Sequence, residues 1–272
     1  MNRIDQKLAQ LHASSKKMLS PYITAGDPDP AMTVNIMHAL VAAGADILEI
    51  GIPFSDPMAE GPVIQAAMER ALKHGINTED VFSLVEQFRT KDIFTPIVLM
   101  GYMNPIEQYG YEAFAERAVS AGVDGMIIVD LPPEESRDIV KCWHSMGLYN
   151  IFLCSPTTSV ERMKLIKKQA CGYLYYVSLK GVTGSNTFDL RSVQTQYKRR
   201  KAQTDLPIMV GFGIKTPDMA AKVSGFADGV IVGAALIEQI QQAYLEKNDG
   251  IKAGAALISD MRIAMDKEGV TA

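Results

Sequence analysis

Cysteine and histidine are scarce in this chain. Its 272 residues include three cysteines and four histidines, with no CxxC, HxxxH or HxH spacing among them. Disulfide frameworks and zinc sites need several such residues at close spacing, so neither is expected here. The sequence therefore predicts no metal in this chain and a reducing environment for Cys142, Cys154 and Cys171.

The chain also lacks an excess of positive charge and long apolar runs. Lys plus Arg total 27 and Asp plus Glu total 31, whereas nucleic-acid-binding proteins usually present a broad positive field. No stretch of about 20 residues is free of charges, and the first residues show no signal-peptide core. We therefore expect no nucleic-acid partner, no membrane span and a cytoplasmic location.

Two nucleotide-binding signatures are missing as well. No GxGxxG follows the first predicted strand and no GxxxxGK[ST] is present, which argues against dinucleotide and P-loop sites. What the chain does contain is apolar residues, 47% of the total, which is enough for a large core. Its length suits one (β/α)8 barrel, a fold of about 250 residues.

Eight short apolar runs, rich in β-branched and aromatic residues, predict eight β-strands. Most recur every 20 to 35 residues or so, the spacing of one strand, one helix and two loops. The interval between the second and third runs is about 50 residues, so it must hold an unusually long loop besides a helix. The predicted strands are residues 19–24, 47–52, 97–102, 125–130, 149–154, 173–178, 208–213 and 229–233.

These runs are almost continuously apolar, as in PIVLM at residues 96–100. Strands buried on both faces have this composition, so it favours a parallel sheet covered by helices. Eight such units without a linker favour an α/β fold, a single (β/α)8 TIM barrel over residues 1–272, rather than an open doubly wound sheet. Helical periodicity at residues 3–12 predicts an extra N-terminal helix that covers the bottom of the barrel.

Helical periodicity also predicts helices between the strands, among them residues 31–43 and 78–89. Thr78 is the predicted capping residue of the second of these. Because Val81 stands three positions later, no full capping box is expected.

Polar residues at the carboxyl ends of the strands are the candidates for chemistry, because barrel active sites lie at that face. Glu49 stands inside the second strand between Leu48 and Ile50. Since side chains alternate along a strand, Glu49 faces the barrel interior if its neighbours face the helices. A desolvated carboxyl has a raised pKa and suits general acid or base catalysis near neutral pH. The structural alternative is a Glu paired with a Lys, an Arg or a backbone group.

The loop after this strand carries further acids. Residues 53–62 read PFSDPMAEGP, a sequence with three prolines that disfavours a helix. It holds Ser55, Asp56 and Glu60 beyond the strand end. One acid of such a pair could transfer protons while the other holds a polar group of the substrate. The alternative is that Asp56 and Glu60 only solvate the loop.

Glycine-containing loops belong to the last three predicted strands. They are GVTG at residues 181–184, GFGI at 211–214 and GAA at 233–235. Glycines let backbone N–H groups approach an anion, and the loops after the seventh and eighth strands of a barrel commonly bind phosphate. Together they predict a phosphate site. Lys180 fits a solvated lysine better than a Schiff-base lysine.

These motifs resemble the tryptophan synthase α subunit family along essentially the whole chain. The most specific match is LEIGIPFSDP at residues 48–57, followed by Gly61 and Pro62. Further matches are PYITAGDP at residues 21–28, MGYMNP at 100–105, DLPPEE at 130–135, VS at 177–178 and the GVTG and GFGI loops.

The resemblance implies a lyase with no cofactor of its own. Members of the family cleave indole-3-glycerol phosphate to indole and glyceraldehyde 3-phosphate by a retro-aldol reaction. The indole passes through a tunnel to a β subunit, which holds pyridoxal phosphate and condenses indole with serine. The implied assembly is an α2β2 heterotetramer in the cytoplasm.

The resemblance also implies roles for individual residues. Glu49 matches the catalytic acid/base, and Tyr175 matches a tyrosine near the glycerol phosphate. Thr183 matches a residue that closes over the substrate and organises the second carboxylate. The resemblance places five residues at or near positions that line the indole pocket: Tyr22, Met100, Ile127, Phe212 and Val232. The implied phosphate-binding backbone belongs to Gly184, Gly213, Gly233 and Ala234. The implied β-subunit face contains Asp56, Asn104 and Pro132.

The sequence departs from the family pattern at three places. Glu60 stands where the family has its second catalytic acid, an Asp, so the carboxylate is displaced by about 1 Å unless the loop adjusts, and such a displacement can cost roughly 10²-fold in rate. Ala234 stands where many members have Ser. Leu179 and Lys180 stand where some members carry an arginine and a small residue. These departures affect the expected rate rather than the reaction.

Two other functions remain open on the sequence alone. A regulatory subunit would bind glycerol phosphates and activate a β partner, with its own catalysis reduced by Glu60. A different phosphosugar barrel, an isomerase or synthase, would share the phosphate loops but not the string from Glu49 to Pro62.

Overall fold

The computed structural model describes residues 1–178, 190–211 and 213–268. In these ranges one parallel sheet contains nine strands, in the order β5-β4-β3-β2-β1-β9-β8-β7-β6. The strands are β1 (Met18–Thr24), β2 (Leu48–Gly51), β3 (Ile97–Gly101), β4 (Gly125–Ile128), β5 (Tyr149–Asn150), β6 (Phe152–Cys154), β7 (Leu174–Val177), β8 (Ile208–Gly211) and β9 (Gly229–Val232).

The predicted barrel is confirmed, with one correction to its fifth strand. Residues 149–154 form two segments, β5 and β6, instead of one strand. The Ile151 amide between them donates to the Met126 carbonyl of β4 at 2.9 Å, whereas β6 pairs with β7. The chain changes its hydrogen-bonding partner at Ile151, and the sheet closes into a barrel there.

Helices follow the strands and cover the outside of the sheet. A 3₁₀ turn at Pro30–Met32 precedes α2. The helices are α1 (Arg3–Ala13), α2 (Thr33–Ala42), α3 (Pro62–Lys73), α4 (Thr78–Arg89), α5 (Met103–Tyr109), α6 (Tyr111–Ala121), α7 (Arg137–Ser145), α8 (Val160–Gln169), α9 (Leu190–Lys201), α10 (Pro217–Ser224), α11 (Ala234–Leu245) and α12 (Gly250–Glu268). None of them, within the described ranges, has the length and apolar character needed to cross a membrane.

Two local predictions between β2 and β3 need correction. The interval holds two helices, α3 and α4, rather than one helix and an exceptionally long loop. The N-cap of α4 is Asn77 instead of Thr78, and a full capping box is present, because Asn77 and Asp80 each accept a hydrogen bond from the other's backbone amide. The prediction placed the N-cap one residue too late, so it looked for the acidic partner of the capping box at Val81 instead of Asp80.

Helix α1 covers the bottom of the barrel, as predicted. The Asn2 amide group donates to the carbonyls of Asp124 and Gly147, at 2.8 and 2.9 Å, in the turns that lead into β4 and β5. Arg3 forms an ion pair with Asp124 at 2.9 Å. Ile4 is fully buried and packs with the residues that fill the barrel interior. The bottom is therefore closed, which leaves the carboxyl ends of the strands as the open face.

Candidate active site

Glu49 faces the barrel interior, as the alternation along β2 predicted. Leu48 and Ile50 pack in the core between the sheet and the helices, whereas Glu49 is fully buried inside the barrel. Two hydroxyl groups donate hydrogen bonds to its Oε1 atom, Tyr173 at 2.9 Å and Ser20 at 3.4 Å. Its Oε2 atom is buried without a hydrogen-bond partner among the described residues.

The surroundings of Glu49 favour its protonated form. Burial raises the pKa of Glu49 to about 8, although the hydrogen bonds from Tyr173 and Ser20 lower it in part. Its partners are neutral hydroxyls rather than a Lys, an Arg or a backbone group. The structural alternative of a charge-paired Glu therefore does not describe this site. A carboxyl with this pKa can both give and take a proton near neutral pH.

Glu60 lies on the loop after β2, and its side chain reaches the same face of the barrel. Burial raises the pKa of Glu60 to about 7, although a hydrogen bond from Tyr102 lowers it in part. The Tyr102 hydroxyl also accepts a hydrogen bond from the Ala59 amide at 3.1 Å, and its ring stacks on Phe54 at 5.3 Å between centroids. Tyr102 therefore holds the loop that carries Glu60 against the end of β3.

A cavity of about 310 Å³ opens at the carboxyl ends of the strands. Seven of the predicted site residues line it: Tyr22, Glu60, Met100, Tyr175, Gly213, Gly233 and Ala234. Two glycines make room for its phenol rings, because a Cβ atom on Gly51 would overlap the Tyr22 hydroxyl and one on Gly211 would overlap that of Tyr175.

Glu49 is not among the residues that line this cavity. It lies across from Tyr22 in the register of β1 and β2, and it is completely shielded from solvent. Burial chiefly raises the pKa of both Tyr22 and Tyr175, and the nearby carboxylate charge of Glu49 raises it further. The Glu49 carboxyl is therefore buried close to the two tyrosines of the cavity wall.

Not every predicted pocket residue lies on the wall. Val232 packs in the outer core between sheet and helices, so its predicted place in the pocket is corrected: Ile231, one residue earlier, faces the cavity. The alternation of β9 decides this. Ile127 is buried in the barrel interior but does not line the cavity. Lys180, Thr183, Gly184 and Phe212 lie outside the described residues.

One end of the cavity has the features of an anion site. Gly233 is the N-cap of α11 and Ala234 is its first residue, so the first amides of this helix have no intrahelical partner. Such amides, together with the helix dipole, attract a phosphate. Gly213, on the opposite loop, has a φ of +88°, a conformation that favours glycine.

Besides Tyr102 and Ile231, sequence reasoning missed four further residues near the site. Tyr173 and Ser20 were overlooked, although each stands two positions before a predicted interior residue, Tyr175 or Tyr22, and so shares its face. Lys215 and Glu238 also line the cavity. Glu238 is one helical turn beyond Ala234, a relation that becomes visible only once the start of α11 is known.

The residues predicted to face a partner lie at the same end of the barrel. They follow β2, β3 and β4, and the Met103 amide donates to Asp130 at 2.8 Å between two of these loops. Asp56 and Asn104 are exposed, and Pro132 is partly exposed. Within the described ranges, no three His, Cys, Asp or Glu side chains form a group that could hold a metal ion.

Comparison with known proteins gives one consistent family. The profile of the family described as "Tryptophan synthase alpha chain" matches residues 8–266. The tryptophan synthase alpha chain of Legionella pneumophila (strain Lens) is 64% identical over 269 residues, 99% of either chain. That of Thioalkalivibrio sulfidiphilus is 53% identical over 266 residues, covering 98% of this chain and 100% of the relative.

Solved structures agree. The crystal structure of tryptophan synthase subunit alpha from Legionella pneumophila str. Paris superposes with a TM-score of 0.94 at 62% identity, covering 98% of this chain and 99% of that one. An open form of tryptophan synthase from M. tuberculosis matches with a TM-score of 0.86 at 31% identity, over 97% and 99% of the two chains. These similarities extend over the barrel and the site, and the chain belongs to the tryptophan synthase alpha chain family.

Proposed function

We propose that Glu49 and Glu60 are the two acids of the reaction that this family catalyses, the cleavage of indole-3-glycerol phosphate to indole and glyceraldehyde 3-phosphate. One observation carries the assignment. Glu49 is a fully buried carboxyl whose partners are neutral hydroxyls and whose pKa is raised to about 8. It is therefore protonated at neutral pH and can act as an acid before it acts as a base.

The proton balance of the reaction requires only one such group. Cleavage breaks the bond between the indole C3 atom and the glycerol carbon beside it. The C3 atom gains a proton and the hydroxyl on that carbon loses one as it becomes an aldehyde. Glu49 donates the first proton and accepts the second, so it ends in its starting form. This requires its side chain to turn from Tyr173 toward the cavity wall at Tyr22 and Tyr175.

Glu60 has a different role in this proposal. Its carboxylate accepts a hydrogen bond from the indole N–H and stabilises the positive charge that develops when C3 is protonated. A pKa of about 7 leaves a large ionised fraction at neutral pH. The hydrogen bond from Tyr102 favours that ionised form. The Tyr102 hydroxyl, which accepts a hydrogen bond from the Ala59 amide, supports this placement of the Glu60 loop at the cavity.

The remaining wall residues bind the substrate. Tyr22 and Met100 contact the indole, Tyr175 lies near the glycerol phosphate, and the phosphate takes the amides of Gly213, Gly233 and Ala234. The glycine at the N-cap of α11 and the positive φ of Gly213 support this phosphate position. Thr183, Gly184 and Phe212 stay predictions from the family resemblance.

We further propose that the whole chain, residues 1–272, is one catalytic domain that works in the cytoplasm within an α2β2 heterotetramer. The family implies a β-subunit partner, and the loops that carry Asp56, Asn104 and Pro132 are its proposed docking face. Indole passes to that subunit, which supplies pyridoxal phosphate for the condensation with serine. The cleavage itself is proposed to need no cofactor in this chain.

Release of indole from indole-3-glycerol phosphate tests the proposal. The rate is measured for this chain alone and with an equimolar β subunit. Slow release alone and faster release with the partner is the expected result. Absence of release in both conditions would overturn the proposal. If the chain then still accelerated the β subunit's own reaction, it would be a regulatory subunit.

A further inference from the structure

A lysine stands at the anion end of the cavity. Lys215 follows Gly213 by two residues, on the loop between β8 and α10, and it lines the same cavity as Gly233 and Ala234. Its side chain is exposed, and its ammonium group has no hydrogen bond or ion pair among the described residues. This cation is therefore available to a ligand in the cavity.

The charges on the cavity wall make Lys215 important for binding an anion. The described residues that line the cavity include two carboxylates, Glu60 and Glu238, and Lys215 is the one cation among them. Glu238 lies one turn into α11 and lines the same cavity as Gly233 and Ala234, whose amides would receive the phosphate. Without Lys215, a phosphate dianion would enter a wall that carries only negative side-chain charge, opposed by the partial positive charge of one helix N-terminus.

We infer that Lys215 binds the substrate's phosphate group and offsets the repulsion from Glu238, so that it sets the affinity for phosphorylated ligands. The inference rests on the proposed function, since it takes the phosphate to lie at Gly213, Gly233 and Ala234. Lys215 is a binding residue in this account: it contributes nothing to the proton transfers of Glu49, so it acts on KM and leaves kcat unchanged.

A second lysine offers a matched control. Lys222, on α10, has the same charge and is also exposed, but its ammonium group is paired with Asp218 at 2.7 Å and does not line the cavity. If any surface cation near this face attracts the substrate by its general field, both lysines contribute alike. If direct contact with the phosphate is the cause, only Lys215 contributes to substrate affinity.

The experiment compares Lys215→Met, Lys215→Arg and Lys222→Met by steady-state cleavage of indole-3-glycerol phosphate in complex with the β subunit. We expect Lys215→Met to raise KM about tenfold, because it removes a charge-assisted contact whose strength is reduced by solvent exposure. The kcat of this variant should stay within about twofold of wild type. Lys215→Arg should retain most of the affinity. Lys222→Met should leave both constants unchanged. The effect of Lys215→Met should shrink in high salt, which screens exposed charges.

Calorimetric titration with glycerol 3-phosphate separates binding from turnover. Lys215→Met should weaken this binding to a similar degree, and adding Glu238→Gln to that variant should recover part of the loss. Equal KM and equal glycerol 3-phosphate affinity in Lys215→Met and wild type would overturn the inference while leaving the proposed function intact. A wild-type chain that neither cleaves the substrate nor binds glycerol 3-phosphate would overturn both.

Discussion

The Tyr173 hydroxyl donates the shorter of the two hydrogen bonds to Glu49, and its removal should shift the alkaline limit of activity. Tyr173→Phe keeps the ring that packs in the barrel interior and deletes only the donor at 2.9 Å. That hydrogen bond stabilises the ionised carboxylate and lowers the pKa of Glu49. Without it, the pKa of Glu49 rises above its value of about 8 in the native chain.

The size of the change follows from the strength of the bond. A hydrogen bond to a charged group contributes about 1.5–3 kcal/mol, and about 1.4 kcal/mol corresponds to one pH unit. If protonated Glu49 is the active form, kcat/KM falls as pH rises through about 8 in the native chain. In Tyr173→Phe this descending limb should lie about one pH unit higher. At pH 9 the protonated fraction then increases from about one tenth to about one half, so the variant should be about fivefold faster than wild type.

The assay is kcat/KM for indole release between pH 6 and pH 10, which reports the ionisations of the free enzyme. Tyr176→Phe is the control, because Tyr176 lies on β7 only three residues after Tyr173, packs in the outer core and has a hydroxyl without a partner among the described residues. Its pH profile should match that of wild type. The reasoning would be refuted if kcat/KM of Tyr173→Phe fell by the same factor at every pH and its descending limb stayed at the wild-type pH. Tyr173 would then serve packing alone.

Three further outcomes are expected. Glu49→Gln should lower kcat for indole release by roughly 10²-fold or more, because Gln cannot transfer the proton, while calorimetry should find glycerol 3-phosphate affinity little changed; an active Glu49→Gln would remove the acid/base assignment. The free energy of unfolding of Glu49→Gln, measured with urea, should increase relative to that of wild type by about 3 kcal/mol as pH rises from 4.5 to 7. The reason is that Glu49 of wild type ionises in this interval in the unfolded chain but stays protonated in the folded one. A difference between the two proteins that is constant with pH would contradict the buried, protonated state. Glu60→Asp should retain or raise kcat if the site tolerates the family's shorter acid, and a collapse of kcat would show that the loop is built around Glu.

The barrel was predictable because its signals are local. Buried parallel strands are continuous apolar runs; seven of the eight runs contain one strand each, and the fifth contains two. The break at Ile151 was not predictable in this way, because it marks a change of hydrogen-bonding partner from β4 to β7. The cap of α4 was misplaced for a smaller reason: both Asn77 and Thr78 suit an N-cap, and backbone geometry decides between them.

Part of the site was predictable from the same patterns. The two-residue repeat placed Glu49 inside the barrel, and Gly213 and Gly233 of two of the predicted glycine loops line the cavity. Val232 was misassigned because family resemblance identified a segment, whereas the strand's alternation decides which residue of that segment faces inward. The alternation of β7 would have identified Tyr173, had it been applied to every strand.

The sequence by itself determined the eight-fold alternation of strands and helices, the interior carboxyl on β2 and the family to which the chain belongs, because these depend on residue order and spacing. Only the tertiary structure decided how Glu49 ionises. Its hydrogen-bond donor Tyr173 is 124 residues away in the chain, and its burial depends on the closure of the whole barrel. The charge balance at the proposed phosphate site, between Lys215 and Glu238, likewise exists only where separate segments meet at one cavity.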